Sequence, residues 1–325
     1  MRLAFLGTPE FALPSLRLLH EAGHEIALVL SQPDRPRGRG LKLQASPVRG
    51  LAMELGLPNA ALAKGQRQEI YTRLLGLGLD AVIVVAFGHI LREPILSGTP
   101  YGCINVHASL LPRWRGPAPI HRALMAGDTR TGVSIMRLDA GVDTGPVYLR
   151  RETPIDPLER SSQLHDRLAK LGAELLLATL DRIVQETLLP EDQTHEEARH
   201  APLLVKEEGS ARFDRPALDV HNRVRALQPW PSVTVLHGEH RLKLLRGHVI
   251  EPDGGIGWTP SSVPGEVLRV DAQGLAIACA QSVYLLEELQ PEAKGPMAAA
   301  AYARGAGVTA GERLLPLPGF REIVA

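Results

Sequence analysis

The sequence predicts an α/β fold: a mostly parallel sheet with helices on both faces, followed by a small OB-like β-barrel. Three observations carry this. The chain opens with an apolar run, RLAFLG, a helical pattern, TPEFALPSLRLLHEAG, and a second apolar run, EIALVLS, which together make a β-α-β beginning. Further on, AVIVVAF is apolar at every position, as a strand covered on both faces is. After about residue 210 the pattern changes to five short strand runs, several of them separated by Gly-containing turns; a small barrel accommodates five, and a sandwich fits the count as well.

Each element has its own warrant. In the first helix Thr8 can cap, Pro9 suits the first turn and Gly23 suits the stop. The stretch QPDRPRGRGLKLQASPVRG is rich in Pro, Gly and Arg, and is expected to be an exposed loop without regular structure. Helices over about 47–55 and 66–77 lead to the AVIVVAF strand, and GCINVHA is the next. After a short helix within 117–127, TGVSIMRLD and GPVYLRRETPI form two more strands. Residues 161–186 carry Leu164, Leu168, Leu171, Leu175, Leu176 and Ile183 at helical spacing, which predicts a long amphipathic helix. These elements compose a first domain over 1–187. Residues 188–209 are polar and lose the period, so they read as a linker. A second domain over 210–325 begins with a helix at about 216–227 and continues with SVTVLHG, RLKLLRGHVI, GEVLRVD, LAIACA and SVYLLEEL as strands.

Composition narrows the function classes. With 325 residues, 44% hydrophobic, the chain has material for two cores. A formal net charge of zero gives no global field for nucleic acid, so any such site has to be a local patch. Cys103 and Cys279 sit in apolar strand contexts and read as buried thiols in a reducing compartment. No stretch reaches the roughly 18 apolar residues of a membrane span, and the N-terminal apolar run is short for a signal peptide. A soluble cytoplasmic protein is expected.

Candidate chemistry concentrates in NVHASLLPRWRG, residues 105–116. Asn105 and His107 are two apart at a predicted strand end, so their side chains share a face, at the edge where open parallel sheets bind ligands. Asn brings an amide donor and His a proton or a charge near pH 7, which together can polarise a carbonyl in acyl transfer. RLDAGVDTGPVY places Asp139 and Asp143 in a Gly-bracketed loop, and a carboxylate from it can orient the imidazole. Ser109 lacks a G-x-S-x-G elbow, so direct attack by an acceptor is favoured over a covalent enzyme intermediate. HEAGH, 20–24, matches a zinc-protease string, but Gly23 stops the helix between its histidines; no metal is expected.

FLGTPEFALPSL, SQPDRPRGRGLKL, CINVHASLLPRWRGPAPIHRALMAGD and TGVSIMRLDAGVDTGPVY together resemble the 10-formyltetrahydrofolate-dependent formyltransferases, in particular the branch that acts on methionyl-tRNA. APLLVKEEG, NRVRALQPWPS and KGPMAAAAYARG extend the similarity over nearly the whole chain. The resemblance implies a Rossmann-like catalytic domain and an OB-like domain that grips tRNA. It implies Asn105, His107 and Asp143 as the catalytic set, with Asn105 and a charged His107 both donating to the developing oxyanion. Phe87, Gly88, His89 and Ile90 would lie against the folate, as would Ser109, Leu110, Leu111 and Pro112. Phe87 stands where Tyr is common in the family.

The partners so implied are 10-formyltetrahydrofolate as donor, initiator methionyl-tRNA as acceptor and no membrane, for an enzyme of translation initiation, with a monomer expected. Arg35, Arg37, Arg39, Lys42 and Arg49 fall in one Gly/Pro-rich loop beside Asp34, and are expected to meet the acceptor arm. Arg223, Arg225, Arg241, Lys243 and Arg246 form a second basic group, of which Arg223 and Arg225 are expected at tRNA. Three other readings stay open on the residues: a formyltransferase for a small amine, a hydrolase of the same donor, and a non-catalytic RNA-binding protein.

Overall fold

The computed structural model describes residues 1–37, 42–63, 65–251 and 256–320. Contacts divide the chain into two compact units. The first comprises Met1–Pro119, Arg130–Pro154 and His165–Ala201, and the second Ile120–Thr129, Ile155–Leu164 and Pro202–Ala325.

In the first unit, β1 (Arg2–Gly7), β2 (Glu25–Ser31), β5 (Asn59–Ala61), β6 (Ala81–Val85), β7 (Cys103–His107), β8 (Arg130–Arg137) and β9 (Val147–Pro154) form one sheet in the order β5-β2-β1-β6-β7-β8-β9. Pairing is parallel from β5 to β7 and antiparallel at β7–β8 and β8–β9. The unit's helices are α1 (Leu13–Glu21), α2 (Pro47–Glu54), α3 (Arg67–Leu75) and α5 (Ser161–Val184) from His165 on, whereas α4 (Pro119–Met125), between β7 and β8 in the chain, falls in the second unit from Ile120 on. β2 lies on one side of β1 and β6 on the other. Strand order therefore reverses between β1 and β6, and right-handed crossovers then cover opposite faces. All five residues of β6 and of β7 are buried; β6 accordingly reads as a continuous apolar run, whereas β7 carries the polar Asn105 and His107 in buried positions. At the reversal point the Thr8 hydroxyl donates to the Phe87 carbonyl at 3.1 Å, tying the loop after β1 to the loop after β6.

Two details of the sequence reading change. The Arg-rich stretch is not wholly irregular: β3 (Arg35–Arg37) and β4 (Lys42–Gln44) pair antiparallel as a hairpin of their own. Arg35-Pro36-Arg37 and Lys42-Leu43-Gln44 each alternate polar and apolar residues, a strand period that the Pro and Gly content conceals. The stretch read as a linker is not free either. The Val147 and Glu191 backbones exchange hydrogen bonds at 2.8 and 2.9 Å, and residues 199–201 bond to 112, 115 and 118, so residues 191–201 are strapped to the first unit.

The second unit is a single antiparallel, curled, OB-like sheet, which settles the barrel-or-sandwich alternative. Its strands are β10 (Val233–His237), β11 (His240–Ile250), β12 (Val267–Val270), β13 (Leu275–Ala278), β14 (Val283–Pro291), β15 (Met297–Ala298) and β16 (Leu314–Pro316). The order is β12-β13-β14-β11-β10-β16, with β15 on β14. Register shifts in β11 at Leu244–Gly247 supply local bending. α6 (Ala217–Ala226) and α7 (Ala299–Ala306) belong to the same unit; Val220, Val224, Tyr302 and Ala303 from them join Leu244, Leu275, Tyr284 and Leu286 in one core.

Both cysteines are buried and unpaired, and burial pushes each thiol up to about 12. The thiolate is the reactive form. Neither is therefore expected to take up a maleimide at pH 7.5 in the native protein, and both are expected to react after denaturation, as read by mass spectrometry. No helix among the described residues is long and apolar enough to cross a membrane.

Candidate active site

Asn105 and His107 occupy alternate positions at the C-terminal end of β7, between β6 and β8. Both are buried, with 8% and 6% of their surface exposed. The Asn105 amide makes no hydrogen bond to the protein among the described residues. The amide is not fully enclosed, so it is uncommitted to the protein while still open to a bound substrate.

His107 is held at both ring nitrogens. Nε2 donates to the Trp114 carbonyl at 2.9 Å, and Nδ1 lies 3.5 Å from Asp143 Oδ2. A ring with one proton can serve only one of these oxygens, whereas an imidazolium serves both. This corrects one expected detail. His107 has no N–H aimed away from the protein, because Nε2 faces the carbonyl seven residues downstream. Donation to a substrate requires that bond to be exchanged.

Asp143 sits in a tight loop at φ +53°, a conformation that residues with a Cβ seldom adopt. Its Oδ2 also accepts from the Gly116 N–H at 2.8 Å. Gly145 is required two residues on, because a Cβ there would meet the Arg137 carbonyl oxygen at 2.0 Å. Asp139 does a different job. Its Oδ1 accepts from the Gly141 N–H at 3.0 Å and the Thr144 hydroxyl at 2.7 Å, closing the turn.

The loop after β7 is fastened to β8 through Ser134, a residue that nothing in the local sequence singles out. Its hydroxyl donates to the Ser109 carbonyl at 2.7 Å and accepts from the Leu111 N–H at 3.1 Å. The Ser109 hydroxyl in turn donates to the Arg113 carbonyl at 2.6 Å, and Arg150 donates to the Leu111 carbonyl at 2.8 Å. Ser109 and Leu111 are buried, while Leu110 and Pro112 are partly exposed. On the neighbouring loop the Phe87 ring is in the core, and its carbonyl accepts from Thr8 and from Gln32 Nε2. Gly88, His89 and Ile90 are exposed beside it, with the His89 ring edge-on to Phe87. Of the eight residues expected at folate, the Phe87 side chain is therefore turned inward, and Gly88, His89 and Ile90 are what that loop presents.

The basic residues divide differently from expectation. Arg49 is paired with Asp34, through contacts of 2.6 and 2.8 Å, and so does not belong to a free cationic run. Arg35, Arg37 and Lys42 are in the β3–β4 hairpin, and Arg39 lies outside the described residues. Arg225 is a correction. It is buried, donating to Asn222 Oδ1 at 3.0 and 2.9 Å and to the Asp156 and Glu159 carbonyls at 3.2 and 3.3 Å, so its guanidinium is committed to bonds within the fold. The Asp156 and Glu159 carbonyls stand more than 60 positions away and leave no trace in the local sequence. Arg223 donates to the Glu208 carbonyl at 3.1 Å and lies over the Phe320 ring.

A model of the formyl transferase family matches residues 1–180, and a model of the formyl transferase C-terminal domain matches residues 203–307. The chain is 42% identical over 328 residues to a methionyl-tRNA formyltransferase of Heliobacterium modesticaldum, covering 99% of both chains. It is 43% identical over 319 residues to that of Rhizobium meliloti, covering 97% of this chain and 99% of the other. Among solved structures, the sugar 3N-formyl transferase WlaRD, crystallised with dTDP and 5-N-formyl-THF, superposes with a TM-score of 0.67 at 16% identity, over 91% of this chain and 99% of its own, a likeness of fold.

Proposed function

Since the chain belongs to the methionyl-tRNA formyltransferase family, we propose that it moves the formyl group of 10-formyltetrahydrofolate onto the α-amino group of methionine carried by initiator tRNA. The observation that carries the chemistry is the buried Asn105 amide, free of protein partners, beside an imidazole bracketed by a carboxylate and a carbonyl. It supports acyl transfer through a tetrahedral intermediate.

The methionine amine attacks the formyl carbon, and the carbonyl π electrons move to oxygen. Asn105 donates to that oxygen, an interaction that strengthens as negative charge develops. His107, oriented by Asp143, exchanges the Trp114 carbonyl for the same oxygen and brings a second donor. As the intermediate collapses, the bond from carbon to N10 of the folate breaks. N10 takes up a proton, and the attacking nitrogen gives one up. Asp143 lies at hand to receive a proton through water. The exposed backbone around Gly88–Ile90 and the Ser134-braced loop at 109–112 flank the strand ends where a pterin would lie. No covalent enzyme intermediate is needed.

The basic stretch that contains the β3–β4 hairpin is proposed to meet the acceptor arm, each phosphate contact adding roughly 0.7–0.9 to the logarithmic salt slope of binding. The domain division at 1–187, 188–209 and 210–325 is proposed to separate catalysis from RNA grip, and the enzyme is proposed to act in the cytoplasm as a monomer.

Tetrahydrofolate release tests the reading, followed with methionyl initiator tRNA, with methionyl elongator tRNA and with neither. Release with initiator tRNA above the other two is expected. Equal release without RNA would make the protein a hydrolase of the donor. No release in any arm would point to a small amine acceptor or to a binding protein.

A further inference from the structure

The stretch read as a linker reaches into the machinery of the site. Gln193 is 6% exposed, and its amide is fully used. Oε1 accepts from Arg115 Nε at 3.0 Å and Nη2 at 2.8 Å, and Nε2 donates to the backbone carbonyls of Asp143 at 2.9 Å and Gly145 at 2.6 Å. Arg115 is also buried, and its Nη1 lies 3.1 Å from His195 Nδ1. The next residue, Gly116, sends its N–H to the Asp143 carboxylate at 2.8 Å. Asp143 is thus gripped twice from the 115–116 dipeptide, at its carboxylate directly and at its own carbonyl through Gln193. That grip falls on a residue at φ +53°, a backbone state that persists where its surroundings determine it. Arg115 itself is kept in place by strand-like pairing with the same downstream segment: its N–H donates to the Arg199 carbonyl at 2.8 Å, and its carbonyl accepts from the Ala201 N–H at 2.7 Å.

We infer that Gln193 is a positioning residue for the reaction: with Arg115 it sets the Asp143 loop so that the carboxylate faces His107, and it acts on turnover through Asp143 alone. Only an uncharged amide fits between these partners. It has to accept from a guanidinium on one side and donate twice to carbonyls on the other. A carboxylate at this position keeps the first function and sets oxygen against oxygen in the second. Misplacement of a catalytic group by about 1 Å is worth on the order of 10²-fold in rate. The inference rests on the formyl-transfer reading, and within it on the role of Asp143.

The test is a double-mutant cycle. Gln193→Ala and Gln193→Glu are each made in the wild-type chain and in an Asp143→Asn background, with kcat, KM for donor and for methionyl-tRNA, and the thermal midpoint measured for all. In the wild-type chain each Gln193 variant is expected to lose about 10- to 100-fold in kcat, with both KM values within about twofold. In the Asp143→Asn background the same changes are expected to cost less than about threefold, because residues acting through one another are non-additive. An equal loss in both backgrounds would make Gln193 merely structural and overturn the inference. So would wild-type turnover in the Gln193→Glu protein with a native thermal midpoint, which also covers an alanine variant too unstable to assay. Wild-type turnover in Asp143→Asn alone would sink the role of Asp143 and the inference with it, separately from any effect at Gln193.

Discussion

Asn105→Ala is expected to lower kcat about 10²–10³-fold, the usual cost of one lost oxyanion donor. KM for both substrates should move little, because the interaction is made chiefly with charge that develops in the transition state. The thermal midpoint should also hold. The Asn105 amide has no protein partner among the described residues, so its removal orphans no neighbouring group. This combination separates Asn105 from its surroundings. Ser134 is equally buried, but it holds two backbone groups of the 109–111 loop, and replacing it would disturb stability and both KM values together. Steady-state kinetics beside a thermal melt read the difference directly. Turnover within threefold of wild type would remove Asn105 from the mechanism.

Glu208→Ala is expected to cost about 3–5 kcal/mol in stability, the range for stripping one partner from a buried ion pair. Glu208 is fully buried and faces Arg122, itself 2% exposed, with Nη1–Oε1 at 2.5 Å and Nη2–Oε2 at 3.1 Å. Oε2 also accepts from the Val205 N–H at 2.9 Å. Arg122 donates further to the Pro202 and Leu203 carbonyls, both at 3.1 Å. Alanine leaves the guanidinium buried without a counter-charge, and that uncompensated charge is the larger part of the cost. Arg122→Met combined with Glu208→Leu should recover part of the loss by removing the uncompensated charge, while the Pro202 and Leu203 carbonyls and the Val205 N–H lose these partners and keep the recovery incomplete. Urea denaturation of the three proteins measures it. A loss below about 1 kcal/mol in Glu208→Ala would place the pair in solvent contact.

Glu208 also shows where a sequence is opaque. KEEG has the composition of a solvated turn, and nothing local marks its third residue as the partner of an arginine 86 positions upstream. Gln193 and Arg225 fail for the same reason, one hidden in an aperiodic polar stretch and the other among cations that looked like a patch. Period and punctuation, by contrast, carried the scaffold. β1, β2 and β6 are largely apolar runs followed by Gly or polar residues, and α5 follows its leucines almost to the predicted ends. Five strands of the second sheet were legible from alternation. β15 and β16 were not, having two and three residues, and the alanine-rich α7 carries too little contrast for a period to appear. Strand spacing singled out Asn105 and His107, while the Gly-bracketed loop offered Asp139 and Asp143 alike, and only the family resemblance chose Asp143. What the sequence could not show is that the Trp114 carbonyl already occupies His107 Nε2.

The most direct test of the central claim follows the formyl carbon itself. The protein is mixed in excess with 10-formyltetrahydrofolate labelled in the formyl group and with methionyl initiator tRNA, and one turnover is quenched over time. The expected result is label passing from the donor to N-formylmethionine on the tRNA, with none retained on the protein and the rate reduced at least 10²-fold in Asn105→Ala. Label recovered as formate, or left on the donor while tRNA stays unmodified, would contradict it.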